Sequence, residues 1–160
     1  MYLPFNELPD TSRIWIYQSN RSFTEEEETA IAQQTIDFLT HWTTHGMPLH
    51  ASFELRYHRF LIIAVNQDVQ PVSGCSVDDS VRFIQDLEKK YQIDLLDKMN
   101  VSYKQGGFIA YKALSDFKKM VKNKAVSAQT IVFNNLVINK YEYETMWEIP
   151  LEESWHNRFL

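Results

Sequence analysis

Apolar residues recur along the chain with two different periods, and these periods separate predicted strands from predicted helices. Residues 51–57 alternate between apolar and polar, which is the period of a strand with one buried face. Residues 60–65 are apolar throughout, which is typical of a strand that is buried on both faces. Further strands are predicted over 13–17, 100–104, 108–112 and 130–133.

Helices are predicted where apolar residues recur every three or four positions. The first helix follows Thr24 and Glu27, which have the spacing of a capping box, and Gly46 is expected to end it. The second helix is predicted to begin with a capping box formed by Ser76 and Asp79.

The order strand, helix, strand, strand, helix, strand predicts an α+β fold with a ferredoxin-like split βαβ core, in which both helices cover one face of a mainly antiparallel sheet. We expect a single domain over 1–160, with the core at about 13–112 and a C-terminal extension at about 113–160. The extension contains a third predicted helix over 115–124. Residues 139–149 fit either a strand or a short helix, and we favour the helix.

The predicted strand at 60–65 requires that both faces of the sheet be covered, because an exposed apolar sheet face usually marks an interface. The two core helices cover one face. The other face is expected to be covered by the aromatic tail, which contains Trp147, Trp155 and Phe159, or by a second subunit. We therefore expect a homodimer or another protein partner.

Composition and charge exclude several classes of protein. Cys75 is the only cysteine, so the chain has no disulfide framework and no multi-cysteine metal site. The net charge of −5 provides no overall attraction for nucleic acid or anionic lipid. Because no signal peptide and no membrane-spanning run is recognisable, we expect a cytoplasmic protein without membrane insertion. No histidine spacing predicts a metal site, and no cofactor is expected.

Cys75 is the candidate catalytic residue. It lies beside the predicted start of the second helix, where a thiol can act as a nucleophile. Asp78 and Asp79 follow it and oppose formation of a thiolate, and no histidine is adjacent in the sequence. The alternative interpretation is a small buried hydrophobic residue.

A polar row on one strand is the candidate ligand-binding site. Ser52, Glu54 and Arg56 are spaced by two and share one face, and His58 extends the row. Such a row can bind a small polar ligand or transfer protons. The alternatives are a solvated face and a set of ion pairs within the sheet.

Two features near the C-terminus are given structural interpretations. A cluster of lysines is expected at the end of the third helix, and it lacks the arginines of a nucleic-acid site: Lys118, Lys119, Lys122 and Lys124. The aromatic segment 155–159 is expected to pack on its own domain, and the alternative is a docking segment for a partner.

Segments 51–57, 74–84 and 154–159 resemble those of short, uncharacterised bacterial proteins that carry the label "ABC transporter ATPase", and the resemblance extends over nearly the whole chain. It implies no established activity and no catalytic residues. ATP hydrolysis of that class requires the P-loop sequence G-x-x-x-x-G-K-[ST]. The chain contains no Gly-Lys pair, so we expect no ATP binding.

Together these observations predict a cytoplasmic binding or interaction module that associates with itself and has no recognisable catalytic machinery. The alternative is a small enzyme that uses Cys75 as a nucleophile.

Overall fold

The computed structural model describes all 160 residues and divides into two compact units. The first unit comprises Met1–Leu96 and Ile138–Tyr141, and the second comprises Asp97–Val137 and Glu142–Leu160. The division after Leu96 falls earlier in the chain than the predicted boundary between core and extension near residue 112.

The first unit contains five strands before α2, and two of them form a short hairpin. In chain order its elements are a 3₁₀ helix (Phe5–Glu7), β1 (Arg13–Gln18), α1 (Glu25–His41), β2 (Thr43–Thr44), β3 (Met47–Pro48), β4 (Ala51–Arg56), β5 (Phe60–Val65) and α2 (Gly74–Tyr91). The remaining elements are β6 (Asn100–Gln105), β7 (Phe108–Ala113), α3 (Leu114–Lys122), β8 (Ile131–Phe133), α4 (Lys140–Met146), β9 (Glu148–Pro150) and 3₁₀ helices at Leu151–Glu153 and Trp155–Phe159.

The main sheet of the first unit has the strand order β1-β5-β4, and both pairings are antiparallel. Helices α1 and α2 share a core with one face of this sheet, to which Ile31 and Ile84 contribute from the helices and Leu61 and Ile63 from the central strand. The capping box of Thr24 and Glu27 begins α1 as predicted. The α+β class and the predicted hairpin of β4 and β5 are therefore confirmed.

The second face of the same sheet is buried as well. Ile14, Ile62 and Ala64 lie on this face and are at most 2% exposed, and Phe60 is fully buried. The prediction that both faces of the sheet are covered is correct, and the burial is complete within a single chain.

The ferredoxin-like core is not confirmed, because the sheet lacks its predicted fourth strand. The order β1-β5-β4 agrees with three of the four positions of that fold, but β6 pairs with β7 and β8 in a different sheet. The segment at 138–140 lies beside β1 in place of the fourth strand. The Ile14 N–H donates to the Ile138 carbonyl, and the Lys140 N–H donates to the Ser12 carbonyl. Strands that pair in a sheet can be far apart in the sequence, and a local sequence pattern does not specify which strands pair.

The prediction that Gly46 ends the first helix is wrong. Helix α1 ends at His41, and Gly46 lies in the two-residue turn of the β2–β3 hairpin. His45 and Gly46 both have positive φ, at 49° and 77°, which is the backbone of a type I′ turn. A glycine is favoured in this turn for the same reason that it is favoured after a helix, so its presence does not separate the two structures.

The second unit is built around a sheet of order β7-β6-β8-β9, on which α3 and the C-terminal residues pack. Phe117 and Val121 of α3, Tyr103 of β6 and Leu151 belong to this core, and Phe159 packs against it. The predicted interpretation of the aromatic tail as a segment that packs on its own domain is therefore confirmed.

Residues 139–149 form both of the structures that the sequence left open. A short helix, α4, is followed at once by strand β9, which pairs with β8. Trp147 lies between them, is 2% exposed and donates from Nε1 to Asn135 Oδ1 at 2.9 Å. None of the helices combines the length and the apolar character that are needed to cross a membrane.

Candidate functional site

Cys75 lies inside the first turn of α2 and not before it. The cap of this helix is Ser73: its Oγ accepts a hydrogen bond from the Ser76 N–H at 3.2 Å, and Ser76 Oγ accepts one from the Ser73 N–H at 2.8 Å. The predicted capping box between Ser76 and Asp79 is wrong. Asp79 instead forms an ion pair with Arg82, one turn further along the helix.

The thiol of Cys75 is exposed and forms no hydrogen bond. A nucleophilic thiol requires a base or another group that stabilises the thiolate. Two histidines of the first unit contact other groups: His41 Nδ1 contacts the Asp37 carbonyl, and His58 Nδ1 contacts Glu28. Cys75 is accessible, and no side chain forms a hydrogen bond with its thiol.

The four residues of the predicted polar row do not share one exposed surface. Ser52 is 1% exposed and its Oγ has no hydrogen-bond partner, so it lies out of reach of a ligand in solvent. Glu54 and Arg56 are half-buried, and their charged atoms lie 4.0 Å apart. This part of the row agrees with the alternative interpretation of ion pairing within the sheet.

His58 does not extend the row, because the strand has already ended. Tyr57 and His58 both have positive φ, at 54° and 55°, and this turn directs the imidazole to the N-terminal end of α1. There His58 Nδ1 lies 2.6 Å from Glu28 Oε2. The hydrogen bond with Glu28 raises the pKa of His58, although the side chain is exposed.

Two grooves of the first unit are poor candidates for a ligand site. One lies between α1 and α2, where Phe38 and Phe83 stack with ring centroids 4.5 Å apart. Two of the charged residues that line it, Asp79 and Arg82, form an ion pair with each other, and Asp86 adds a further carboxylate. The other groove is lined by Glu88, whose carboxylate already accepts the N–H groups of two residues that follow α2.

A third groove, of about 700 Å³, lies in the second unit beside α3. We call it the α3 groove. Its apolar lining consists of Val121, Val126, Ala128, Phe159 and Leu160. Its cationic lining consists of Lys118, Lys122 and Lys124.

The three lysines of the α3 groove have no acidic partner. None of them forms an ion pair, and the one specific contact among them is that of Lys118, whose Nζ lies 5.2 Å from the centre of the Phe159 ring. Each ammonium group is exposed and retains its hydrogen-bond donors for a ligand. Lys119 is exposed on the same helix but does not line the groove.

The wall of the groove opposite α3 is held by backbone hydrogen bonds. The Ser127 N–H donates to Thr130 Oγ1 at 2.9 Å, and the Thr130 N–H donates to the Ser127 carbonyl at 3.1 Å. The Ala128 carbonyl accepts the Glu152 N–H at 3.0 Å. These bonds fix the loop between α3 and β8, which forms this wall of the groove.

The aromatic tail supports the other end of the groove. Trp155 contacts Phe159 edge-on at 5.8 Å and stacks on His156 at 4.0 Å. His156 is buried, with Nδ1 2.7 Å from Ser154 Oγ, and it contacts the Phe117 ring of α3. Burial, together with the nearby positive charge of Arg158, lowers the pKa of His156 to about 4. Phe159, which lines the groove together with Leu160, is therefore packed against Trp155 of the same tail.

Sequence reasoning identified the lysines and the tail separately and missed the groove that they form. The available signal was the spacing of Lys118 and Lys122 with Val121 between them, which places an apolar residue beside two cations on one face of a helix. The contribution of Phe159 depends on a contact across more than thirty residues of chain, and no pattern within the helix indicates it.

Comparison with known proteins adds no assignment: no family model, no curated protein and no solved structure matches this chain.

Proposed function

We propose that the protein is a binding module and that the α3 groove binds a ligand with both an anionic group and an apolar part. The observation that supports the proposal is a set of three lysines without acidic partners around an apolar lining. A volume of about 700 Å³ lies within the usual range of small-molecule and peptide sites.

The apolar residues and the lysines of the groove are expected to bind different parts of such a ligand. Removal of apolar ligand surface from water against Val121, Val126 and Phe159 provides the non-directional part of the binding free energy. The lysines provide charge-assisted hydrogen bonds to an anionic group. Because the whole chain carries a net charge of −5, long-range attraction of anions is weak, and selectivity for an anion depends on this local cluster.

Titration with 8-anilinonaphthalene-1-sulfonate tests the proposal, because this dye carries one sulfonate on an apolar ring system. We expect saturable fluorescence enhancement and amide chemical-shift changes at Val121, Val126 and Ala128. The double substitution Lys118→Glu and Lys122→Glu should weaken dye binding by about tenfold or more, since it converts attraction into repulsion.

Lys119→Glu is the control, because it makes one such Lys-to-Glu exchange on the same helix outside the groove. It should leave dye affinity within about twofold of the unsubstituted protein. Equal affinities for the double variant and the control, or shift changes confined to the first unit, would contradict the proposal.

A second candidate function is that of a thiol enzyme using Cys75, and the observation in its favour is the exposure of the thiol. Titration with 5,5′-dithiobis(2-nitrobenzoic acid) separates the two candidates. We expect native Cys75 to react no faster than it does in the unfolded chain, because no neighbouring base contacts it. Cys75→Ser should leave dye binding unchanged. A native thiol that reacts much faster would support the enzyme.

A relation to proteins labelled as ABC transporter ATPases, and a cytoplasmic location, remain predictions from the sequence. We expect equilibrium dialysis with ATP and Mg²⁺ to detect no saturable binding, because no Gly-Lys pair is present to build a P-loop. Saturable micromolar binding that survives the double substitution in the α3 groove would show that the chain binds nucleotide by another structure.

A further inference from the structure

We infer that the occupant of the α3 groove is an acidic, amphipathic peptide segment of another protein. This inference rests on the proposed function and names the ligand class for the same groove. Three observations support it: the shape of the groove, the spacing of its lysines and the contacts that the acidic residues of this chain already make.

The α3 groove is more open to solvent than enclosed. A free fatty acid in such a groove would leave one side of its acyl chain in water, which loses much of the favourable free energy of burial. An amphipathic helix presents one apolar face to a groove and keeps its polar face in solvent. The open form therefore favours a peptide over a single acyl chain.

The lysines of the groove are spaced for a helical partner. Lys118 and Lys122 are four residues apart on α3, so they lie on one face about one helical turn from each other. Acidic residues spaced by four on a partner helix have the same separation and can face both ammonium groups. Lys124 follows the helix, with φ at 59°, and adds a third cation where the chain turns away from α3.

A second copy of this chain is a poor occupant. Its most acidic segment is the run from Glu25 to Glu28 at the start of α1. Glu27 is already bound to the Arg21 guanidinium through two 2.8 Å contacts, and Glu28 contacts His58. Docking this run into the groove of another copy would break contacts that the chain already has, whereas a separate acidic partner carries no such cost.

A membrane surface fits less well than a peptide. Peripheral membrane proteins insert protruding apolar side chains into the interface. Here the apolar residues line a concave surface together with the lysines. An anionic membrane would contact the lysines and leave most of the apolar lining unused.

Fluorescence anisotropy with a labelled synthetic peptide of about 15 residues tests the inference, a length sufficient for a short helix. The peptide carries leucines along one helical face and glutamates spaced by four beside them. A second peptide replaces the glutamates with lysines, and a third has the same composition in scrambled order. We expect the first peptide to bind saturably, the lysine peptide not to bind, and the scrambled peptide to bind about fivefold or more weakly.

Protein variants locate the peptide. The double substitution Lys118→Glu and Lys122→Glu should weaken binding by about tenfold or more, and Lys119→Glu should change it by less than about twofold. Ala128→Phe should also weaken binding, because the larger side chain fills the groove without changing charge. Far-ultraviolet circular dichroism verifies that each variant is folded, and the exposed lysine variants test the inference if Ala128→Phe does not fold.

The outcomes separate this inference from the proposed function. If the sulfonate dye binds in the groove and the acidic peptide neither binds nor displaces it, the inference is wrong and the proposed function stands. If neither binds, both are wrong. Binding to phosphatidylglycerol vesicles that depends on Lys118 and Lys122, without peptide binding, would assign the groove to a membrane. Self-association that the double substitution abolishes would assign it to a second copy.

Discussion

His156 is a titratable side chain enclosed by the packed aromatic residues of the second unit. It is 1% exposed, and its pKa of about 4 lies well below the ordinary value of 6.5 because burial disfavours the imidazolium ion. In the unfolded chain the imidazole takes up a proton near pH 6.5, whereas in the folded chain it resists protonation until the pH approaches 4. The contribution of His156 to stability is therefore fully present above about pH 7 and is lost as the pH falls from 6.5 to 4.

We expect the free energy of unfolding to decrease by about 2–3 kcal/mol over this interval, at about 1.4 kcal/mol for each unit of pKa difference. Chemical denaturation at pH 7.5, 5.5 and 4.5, with a nuclear magnetic resonance titration of the imidazole, measures the two quantities. His156→Gln should remove the dependence, and His45→Asn, an exposed histidine in a turn that asparagine tolerates, should retain it. An imidazole that titrates near 6.5 in the folded protein would contradict the prediction.

A second titrating group, Glu27, acts in a lower pH range and does not obscure that of His156. The Arg21 guanidinium and the Thr24 backbone N–H lower the pKa of the Glu27 carboxyl to about 2. Its contribution to stability is present above pH 4.5 and is lost as the pH falls towards 2.

The residue types of the candidate site and their positions on the strand could be predicted from the sequence, but the contacts of their side chains could not. The strand that carries Ser52, Glu54 and Arg56 is present, and the alternation that placed them on one face is correct. The sequence did not reveal that Ser52 is buried, since its burial depends on what covers the sheet. His58 lies in a turn whose two positive φ values could not be predicted without the usual Asn-Gly sequence.

Among the single elements, helix α2 could begin with either of two capping arrangements, one formed by Ser73 and Ser76 and the other by Ser76 and Asp79. Ser73 is the observed cap, and its partner Ser76 also binds α1, because the Trp42 indole N–H donates to the Ser76 carbonyl at 2.8 Å. We expect Ser73→Ala to lower the free energy of unfolding by about 1 kcal/mol, as is usual for loss of a capping serine. Asp79→Asn should lower it by less than about 0.5 kcal/mol, because the Asp79–Arg82 ion pair is exposed.

Urea denaturation and amide hydrogen exchange in the first turn of α2 measure these effects. A larger loss for Asp79→Asn than for Ser73→Ala would mean that Ser76 and Asp79 form the cap, as the sequence suggested. Both serines satisfy the pattern of a helix start, so the sequence alone did not decide between starts three residues apart.

Elements were predicted well where their signal is local. The Thr24 capping box, the hairpin of β4 and β5 and the strand at β8 depend on neighbouring residues, and all three are present. The hairpin of β6 and β7 is also present, but β6 does not join the main sheet beside β1, as a ferredoxin-like core would require. Its own sequence is suitable for a strand in either sheet, and the choice depends on the segment at 138–140, which hydrogen-bonds to the residues at the start of β1.

For the whole molecule, the sequence predicts a dimer because one apolar face of the central sheet has to be covered. Both faces of the sheet in the first unit are buried within one chain, including the fully buried residues Phe60, Ile62 and Ala64. The largest apolar surface that the sequence revealed is therefore not available to a second subunit. The exposed large apolar residues that remain are spread along the chain, as on most monomeric proteins.

We accordingly expect a monomer of 18.9 kDa in solution. Obligate dimers usually bury an apolar interface larger than about 2,000 Å², and the main sheet of the first unit has no exposed apolar face that could supply one. Light scattering coupled to size-exclusion chromatography, over a range of protein concentrations, measures the mass directly. A stable particle of twice the mass at every concentration would contradict the prediction, and it would mean that an interface outside the main sheet joins two chains. A mass that rises with concentration, and that Lys118→Glu with Lys122→Glu holds at the monomer value, would instead identify the α3 groove as the contact.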